Sequence, residues 1–274
     1  MLGLMQDRPM MISSILTFAA QYHGDVEIVS ATADNPRHRY GYAAAHKRAC
    51  KLANALTRYG VKTGDRIATL AWNDYRHFEL YFGVSGIGAI LHTVNPRLFA
   101  DQLGYIFNHA EDRLLFIDPQ FIPLVEQLGT QWTSIEKIVV LAPADKMPNT
   151  AVEGLISYEE FIASESDSFD WPEFDERTAS SLCYTSGTTG NPKGVLFSHR
   201  STVLHTLTVA AASNMAIMPE DNFLPVVPMF HANAWGTPYI APTAGSKMVF
   251  PGAHLDGPRL YALLEEEKVT MSAG

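Results

Sequence analysis

The residues between Tyr184 and Gly194 bring together three chemistries that suit a polyphosphate. Four hydroxyl side chains, three glycines and one lysine fall within these eleven positions: Thr185, Ser186, Gly187, Thr188, Thr189, Gly190, Lys193 and Gly194. Glycine lets the backbone approach a ligand closely and turn its N–H groups toward an anion. The hydroxyls add hydrogen-bond donors, and Lys193 adds a full positive charge. The segment therefore predicts a phosphate-binding loop.

The spacing of this loop differs from the Walker pattern, in which Gly-Lys-Ser/Thr follows four spacer residues. We also expect a strand, not a helix, directly after it, over residues 194–198. The alternative interpretation is a plain polar turn between two strands. A hairpin needs only two to five linking residues, and nine separate Tyr184 from Gly194. The extra length favours phosphate binding.

Short apolar strands and helices alternate along most of the chain. We predict strands over residues 66–72, 89–94, 114–118, 137–141, 179–184, 222–227 and 247–250. We predict helices over residues 43–59, 100–110, 120–129, 199–215 and 260–267, and a first helix near 10–20. Such alternation is typical of α/β proteins in which helices flank layered, largely parallel sheets. Residues 142–178 are predicted to be a weakly structured connection between subdomains of about 1–175 and 176–274.

Two local signals refine this outline. Asp74 is predicted to cap the helix that follows it, and Gly60 to end the helix before it. Gly83, Gly86 and Gly88 predict close backbone packing. Their order does not match the dinucleotide-binding fingerprint, so we predict no nucleotide site there.

The charged residues exclude one class of function. There are 20 Lys and Arg against 29 Asp and Glu, a formal charge of −9, which argues against a nucleic-acid binder with a basic face. Nine of the acids lie within residues 153–176, where there is no Lys or Arg. We interpret this run as a solvated surface connection. The two cysteines, Cys50 and Cys183, lack metal or redox spacing, which is typical of free thiols in a reducing cytoplasm.

Two segments together resemble a known family. Residues 184–195 resemble the signature phosphate loop of the adenylate-forming superfamily, which contains acyl-CoA synthetases, luciferases and the adenylation domains of peptide synthetases. Residues 225–239, which include His-Ala-Asn-Ala-Trp-Gly at 231–236, resemble its acyl-pocket segment. Residues 71–77, 92–98 and 182–201 are more similar to bacterial medium- and long-chain fatty acyl-CoA ligases than to aryl-CoA ligases. The resemblance covers essentially the whole chain and implies a partial N-terminal AMP-binding domain over residues 1–274.

The resemblance implies a two-step reaction that uses ATP, Mg²⁺ and CoA. A fatty acid carboxylate attacks the α-phosphorus of ATP and expels pyrophosphate, and the CoA thiol then attacks the acyl carbon and releases AMP. Thr185 matches the family position that helps hold Mg²⁺. The match for the β- and γ-phosphate cradle comprises Ser186, Gly187, Thr188, Thr189, Gly190 and Lys193.

The acyl-pocket segment supplies three further candidates by the same resemblance. His231 matches a residue beside the adenylate and the acyl carboxylate, Trp235 a proposed gate of the fatty-acid tunnel, and Gly236 their neighbour in the substrate pocket. The alternative for His231 is a core histidine satisfied by a backbone carbonyl, and the alternative for Trp235 is plain core packing. His199 and His205 are interpreted as structural, because their spacing does not suit a metal site.

The resemblance also implies parts that the 274 residues do not contain: a magnesium-binding glutamate, a ribose-binding aspartate, an adenine pocket and a C-terminal lid with its lysine. We therefore expect a truncated chain with little or no ligase activity of its own. Two alternatives stay open, a non-catalytic remnant or binding module completed by a partner chain, and an aryl- or short-chain acyl-CoA ligase. The neutral remainder of the chain outside the acidic run and the lack of a transmembrane run predict a cytoplasmic protein, and an amphipathic substrate would allow loose membrane association. The resemblance implies a homodimer for the complete protein.

Overall fold

The computed structural model describes residues 1, 3, 5–185, 191–211 and 213–274. Its strands are β1 (Glu27–Ser30), β2 (His38–Gly41), β3 (Arg66–Leu70), β4 (Ile90–Thr93), β5 (Asp112–Ile117), β6 (Lys137–Val140), β7 (Ile156–Ser157), β8 (Ala179–Thr185), β9 (Lys193–Ser198), β10 (Asn222–Pro225), β11 (Lys247–Phe250) and β12 (Met271–Ala273). Its helices are α1 (Ile12–Tyr22), α2 (Tyr42–Tyr59), α3 (Tyr75–Gly86), α4 (Ala100–Ala110), α5 (Ile122–Leu128), α6 (Tyr158–Ala163), α7 (His199–Ala210), α8 (Thr237–Ala244) and α9 (Gly257–Glu266).

The strands form two sheets. One has five strands in the order β12-β10-β11-β1-β2, and the other has seven in the order β7-β6-β5-β3-β4-β8-β9. All the pairings are parallel except β1 with β2 and β8 with β9. This confirms the predicted α/β class with mixed and parallel sheets flanked by helices.

The core is layered because each sheet buries both faces. Alternate residues of a strand point to opposite faces, so Ile67 joins the large core between the sheets while its neighbour Ala68 joins the core beneath α4 and α5. In the same way Ile28 faces the central layer and Val29 faces α9. Helices α1, α2, α3 and α8 fill the space between the sheets, and every residue of α3 is buried.

The predicted local signals in this central layer are confirmed. The Asp74 side chain accepts a hydrogen bond from the His77 amide and begins α3. Gly60 adopts φ +90° at the end of α2. A Cβ at Gly86 would lie 2.4 Å from the Trp171 ring, and one at Gly83 would lie 2.6 Å from Leu52. The glycines therefore allow elements of the core to approach closely.

Two predictions about secondary structure were wrong in part. Residues 142–178 are not a weakly structured connection throughout, because they contain β7 and α6, and α6 buries Tyr158, Phe161 and Ile162. The helix predicted over 199–215 ends at Ala210. Only four of the twelve residues of α7 are buried, and Ala211, directly after the helix, is extended.

The acidic run is also more than a solvated connection. Glu159 lies 2.9 Å from the guanidinium groups of both Arg48 and Arg76, and Glu176 accepts the Met10 amide at 2.8 Å. Strands on both sides of residue 175 share each sheet, since β4 pairs with β8 and β1 with β11. The division of the chain into subdomains of about 1–175 and 176–274 therefore stays a prediction.

Candidate functional site

The two arms of the predicted phosphate loop are the neighbouring strands β8 and β9. Thr185 is paired with Lys193 at the open end of this hairpin, and the Thr185 hydroxyl donates to the Lys193 carbonyl oxygen at 3.4 Å. Both side chains are exposed. The strand expected after the loop is therefore confirmed. Its pairing with β8 places Lys193 next to Thr185. Ser186, Gly187, Thr188, Thr189 and Gly190 lie outside the described residues.

Tyr184 anchors the first arm to α4. Its hydroxyl lies 2.7 Å from Nδ1 of His109, and the His109 ring stacks on Tyr105 with centroids 5.1 Å apart. Burial raises the pKa of Tyr184 to about 12, so the phenol keeps its proton at neutral pH. This contact fixes the strand one residue before Thr185.

The buried pair of His92 and Asp112 packs against Tyr184. The His92 ring lies 5.2 Å from the Tyr184 ring, and its Nδ1 is 2.8 Å from a carboxylate oxygen of Asp112. Both His92 and Asp112 are fully buried, and burial raises the pKa of the Asp112 carboxyl. The pair joins β4 to β5 across the intervening strand β3. Sequence patterns did not predict it, because the partners lie 20 residues apart.

The acyl-pocket segment contains an unusual backbone. Five consecutive residues have positive φ: Ala232 (44°), Asn233 (51°), Ala234 (50°), Trp235 (55°) and Gly236 (78°). Left-handed conformation costs an L-residue roughly 1–2 kcal/mol, and it usually occurs at single residues. Such strain persists only where surrounding contacts enforce it, and it concentrates at functional sites.

Those contacts come from the buried side chain of Asn233. Its amide nitrogen donates to Ser181 Oγ at 2.7 Å. Its amide oxygen accepts from Cys183 Sγ at 3.3 Å and from Thr93 Oγ1 at 3.5 Å. Ser181 and Cys183 belong to β8, so the turn at 232–236 is attached to the strand that leads into the predicted phosphate loop.

A cavity of about 440 Å³ lies between this turn, α7 and α8. Its lining comprises Phe197, Ser201, Thr202, His205, Ala232, Asn233, Trp235, Gly236 and Tyr239. A Cβ at Gly236 would lie 2.9 Å from Nδ1 of His205, so glycine leaves room for the imidazole there. The cavity wall is mixed, with aromatic rings, hydroxyls, an amide and an imidazole.

The structure contradicts the core alternative for two candidate residues. His231 is exposed at the start of the turn, so the interpretation as a satisfied core histidine is wrong. Trp235 is 51 % exposed, so plain core packing is wrong too. The substrate roles of His231, Trp235 and Gly236 stay predictions. The structure brings Trp235 and Gly236 into one cavity and attaches their turn to the strand of Thr185.

His199 and His205, the two histidines of α7, differ in their surroundings. His199 is buried, and its Nδ1 accepts the Ile12 amide at 3.2 Å, which confirms a structural role. His205, also interpreted as structural, lies in the cavity wall instead. Its position on the cavity side of α7 was missed because α7 shows no clear apolar stripe. Within the described ranges, no group of three or more His, Cys, Asp and Glu side chains could hold a metal ion.

A second cavity, of about 270 Å³, lies where strands of both sheets end. Asp74 follows β3 and Asp118 follows β5, and both line it with Asp34 and Arg76. Burial raises the pKa of Asp74 to about 6 and that of Asp118 well above its usual value. One Asp118 oxygen accepts the Trp72 amide at 2.8 Å. These acids therefore stabilise the loops after β3 and β5.

Comparison with known proteins places the chain in a family. The AMP-binding enzyme family matches residues 16–274. The 3-methylmercaptopropionyl-CoA ligase of Ruegeria pomeroyi is 50 % identical over all of this chain and 51 % of its own length. The medium-chain-fatty-acid–CoA ligase of Ectopseudomonas oleovorans is 46 % identical over all of this chain and 50 % of its own length.

The likeness extends to solved structures. A long-chain-fatty-acid-CoA ligase from Archaeoglobus fulgidus superposes with a TM-score of 0.80 at 23 % identity, over 97 % of this chain and 52 % of that protein. The chain thus spans about half the length of the relatives it matches. None of the helices in the described part of the chain is long and apolar enough to cross a membrane. Because the family model covers residues 16–274, the chain belongs to the AMP-binding enzymes.

Proposed function

We propose that this chain provides the phosphate-binding and acyl-binding half of an AMP-forming acid–CoA ligase. The observation that carries the proposal is the attachment of both candidate sites to one strand: Thr185 ends β8, and Asn233 bonds to Ser181 and Cys183 of the same strand. An acid that forms an acyl-adenylate must bring its carboxylate to the α-phosphorus of ATP. A shared strand holds the two substrates at a fixed separation, which favours such a reaction.

Each residue has a defined task in this proposal. The Lys193 ammonium and the loop donors stabilise the negative charge that moves onto the departing pyrophosphate. Thr185 fits a magnesium site as one oxygen ligand, since its hydroxyl is exposed and its bond to the Lys193 carbonyl oxygen is long, at 3.4 Å. Mg²⁺ takes most of its other ligands from phosphates, carboxylates and water, and bound there it would supply charge neutralisation. His231 positions the acyl carboxylate, and Trp235 closes the acyl cavity.

For the acid, we propose a medium- or long-chain fatty acid. The name of the Ectopseudomonas relative and the aromatic wall of the cavity support this class. The Ruegeria relative is named for a short thioether acid, and the hydroxyl and imidazole groups of the same wall suit such a substrate. The cavity thus has features of both classes, and rates with graded acids decide between them.

Two measurements test the proposal. The first is ATP binding by the 274-residue chain, in which Lys193→Ala should weaken affinity at least tenfold. Lys62→Ala, which removes an exposed lysine before β3, is the matched control and should leave affinity unchanged. Equal affinity in all three proteins would remove the phosphate-loop assignment.

The second measurement compares kcat/KM of the complete protein for octanoate, 3-methylmercaptopropionate and benzoate. The order of these values identifies the acid class, and a higher value for either of the latter two would overturn the fatty-acid proposal. Turnover of any acid by the 274-residue chain itself would show that this half is sufficient, contrary to our expectation.

A further inference from the structure

The left-handed turn at residues 232–236 needs an explanation, because four of its five residues are not glycine. At roughly 1–2 kcal/mol for each such residue, an unsupported turn would relax to another backbone conformation. Ala232 is exposed, so burial of its own side chain does not hold the turn. Asn233 is different, since it is only 6 % exposed.

Both the nitrogen and the oxygen of the Asn233 side-chain amide form hydrogen bonds. It donates to Ser181 Oγ at 2.7 Å, and it accepts from Cys183 Sγ at 3.3 Å. Ser181 is fully buried, and the burial of Cys183 raises the pKa of its thiol, so the thiol stays protonated and can donate. Because buried polar groups that lose a partner cost about 1–3 kcal/mol, this set of bonds opposes any movement of the turn away from β8.

We propose that Asn233 is a positioning residue that fixes the distance between the acyl site and the phosphate site. The inference rests on the proposed function. His231 lies two residues before Asn233 and Trp235 two residues after it. Cys183 lies two residues before Thr185. A single side chain therefore links the groups assigned to the acid with the strand assigned to ATP.

Asparagine suits this position for two separate reasons. It adopts the left-handed conformation more readily than most residues, and its amide supplies a donor and an acceptor together. Substitutions can separate these reasons. Asn233→Gly keeps the backbone freedom and removes the amide, whereas Asn233→Asp keeps the shape and removes the donor to Ser181.

The first test measures the contact between Asn233 and β8 directly and does not require enzyme activity. In a Cys50→Ser background, Cys183 is the remaining thiol, and Asn233 lies against its Sγ. We expect Asn233→Gly and Asn233→Ala to raise the rate of maleimide labelling at Cys183 at least tenfold in the 274-residue chain. Asn108→Ala is the matched control, since the hydrogen-bond partners of this exposed asparagine side chain among the described residues are Gln131 and Thr133. Its labelling rate should equal that of the parent.

Labelling would also rise if a variant unfolded, so the urea midpoint of each protein is measured beside it. If the Asn233 variants do not fold, Ser181→Ala removes the same bond from the other partner and leaves the turn residues intact. A labelling rate unchanged by Asn233→Gly, or by Ser181→Ala where that variant is used, overturns the proposal.

The second test reads positioning in the complete protein. We expect Asn233→Gly to lower kcat for acyl-adenylate formation 10- to 100-fold while KM for ATP changes less than threefold, because the chemistry depends on alignment more than on nucleotide affinity. A wild-type level of kcat in Asn233→Gly would show that backbone freedom alone suffices and would contradict the proposal. If the wild-type protein forms no acyl-adenylate, the proposed function fails, and the labelling test still decides whether Asn233 holds the turn.

Discussion

The hydroxyl of Tyr184 lies 2.7 Å from Nδ1 of His109, and this contact attaches the start of the predicted phosphate loop to the end of α4. We expect Tyr184→Phe to lower the free energy of unfolding by about 0.5–1.5 kcal/mol, the usual contribution of one hydrogen bond. It should also weaken ATP binding, since Thr185 follows directly. Urea unfolding and ATP titration measure the two effects.

The neighbouring Tyr105 provides the control for this prediction. Its ring stacks on His109, and its hydroxyl bonds to no group among the described residues, so Tyr105→Phe should leave both quantities unchanged. If Tyr184→Phe binds ATP as tightly as the parent, the anchor has no part in the phosphate site.

Glycine packing in the central layer gives a second prediction. A Cβ at Gly86 would meet the Trp171 ring at 2.4 Å, so Gly86→Ala should lower the free energy of unfolding by about 1–3 kcal/mol through overpacking. Gly104, inside α4, has only Gln131 within reach, at 3.9 Å. Gly104→Ala should therefore raise stability by up to about 1 kcal/mol. Thermal unfolding of both variants compares the signs directly, and equal signs would contradict the close approach at Gly86.

The strain of the left-handed turn gives a third prediction, independent of Asn233. Ala232→Gly should relieve about 1–2 kcal/mol of strain against a backbone entropy cost of about 0.5–1 kcal/mol. The expected result is a net gain of roughly 0.5–1 kcal/mol in the free energy of unfolding. Ala262→Gly, inside the right-handed α9, is the control and should lose about 1 kcal/mol. A loss at both positions would show that residue 232 is not strained.

The fourth prediction concerns pH. Burial lowers the pKa of His199 to about 4, below the unfolded value near 6.5. Between these values the unfolded chain binds more protons than the folded chain, so stability is fully present above pH 6.5 and is lost as pH falls toward 4. The contribution of His199 is up to about 3 kcal/mol. We expect His199→Gln to reduce the difference in stability between pH 7 and pH 5.

Other buried groups determine how this experiment is read. His77 also has its pKa lowered to about 4, so the dependence on pH should fall in His199→Gln without disappearing. The raised pKa of Asp74 acts in the opposite direction, because its protonated form is favoured in the folded state. The comparison is therefore made between variant and parent by urea unfolding at each pH. An identical pH dependence would show that His199 is not buried in its neutral form.

Local signals in the sequence predicted much of the fold and part of the site. The boundaries at Gly60 and Asp74 follow from backbone conformation and capping within a few residues. The strands on either side of the phosphate loop follow from apolar runs bounded by polar residues. Such features depend on neighbours in the chain, which a single sequence contains.

Features that depend on distant partners were not predicted. Arg76 bonds to Asp34 at 3.1 Å and to Glu159 at 2.9 Å, and no spacing rule connects these three positions. The left-handed turn was missed for the same reason, since it requires Ser181 and Cys183 to hold Asn233. His205 was interpreted as structural because the sequence shows its spacing from His199. The cavity that His205 lines depends on residues distant in the chain and could not be predicted.

The parallel pairing of β1 with β11 has a consequence for how the chain is made. Ile28 lies opposite Met248, a separation of 248 − 28 = 220 residues. At roughly 5–20 residues per second, a ribosome needs about 10–45 s to synthesise the partner after β1 has emerged. During that interval β1 lacks its neighbour β11, and Val29 lacks α9, the helix that it faces. The five-stranded sheet is therefore completed late in synthesis.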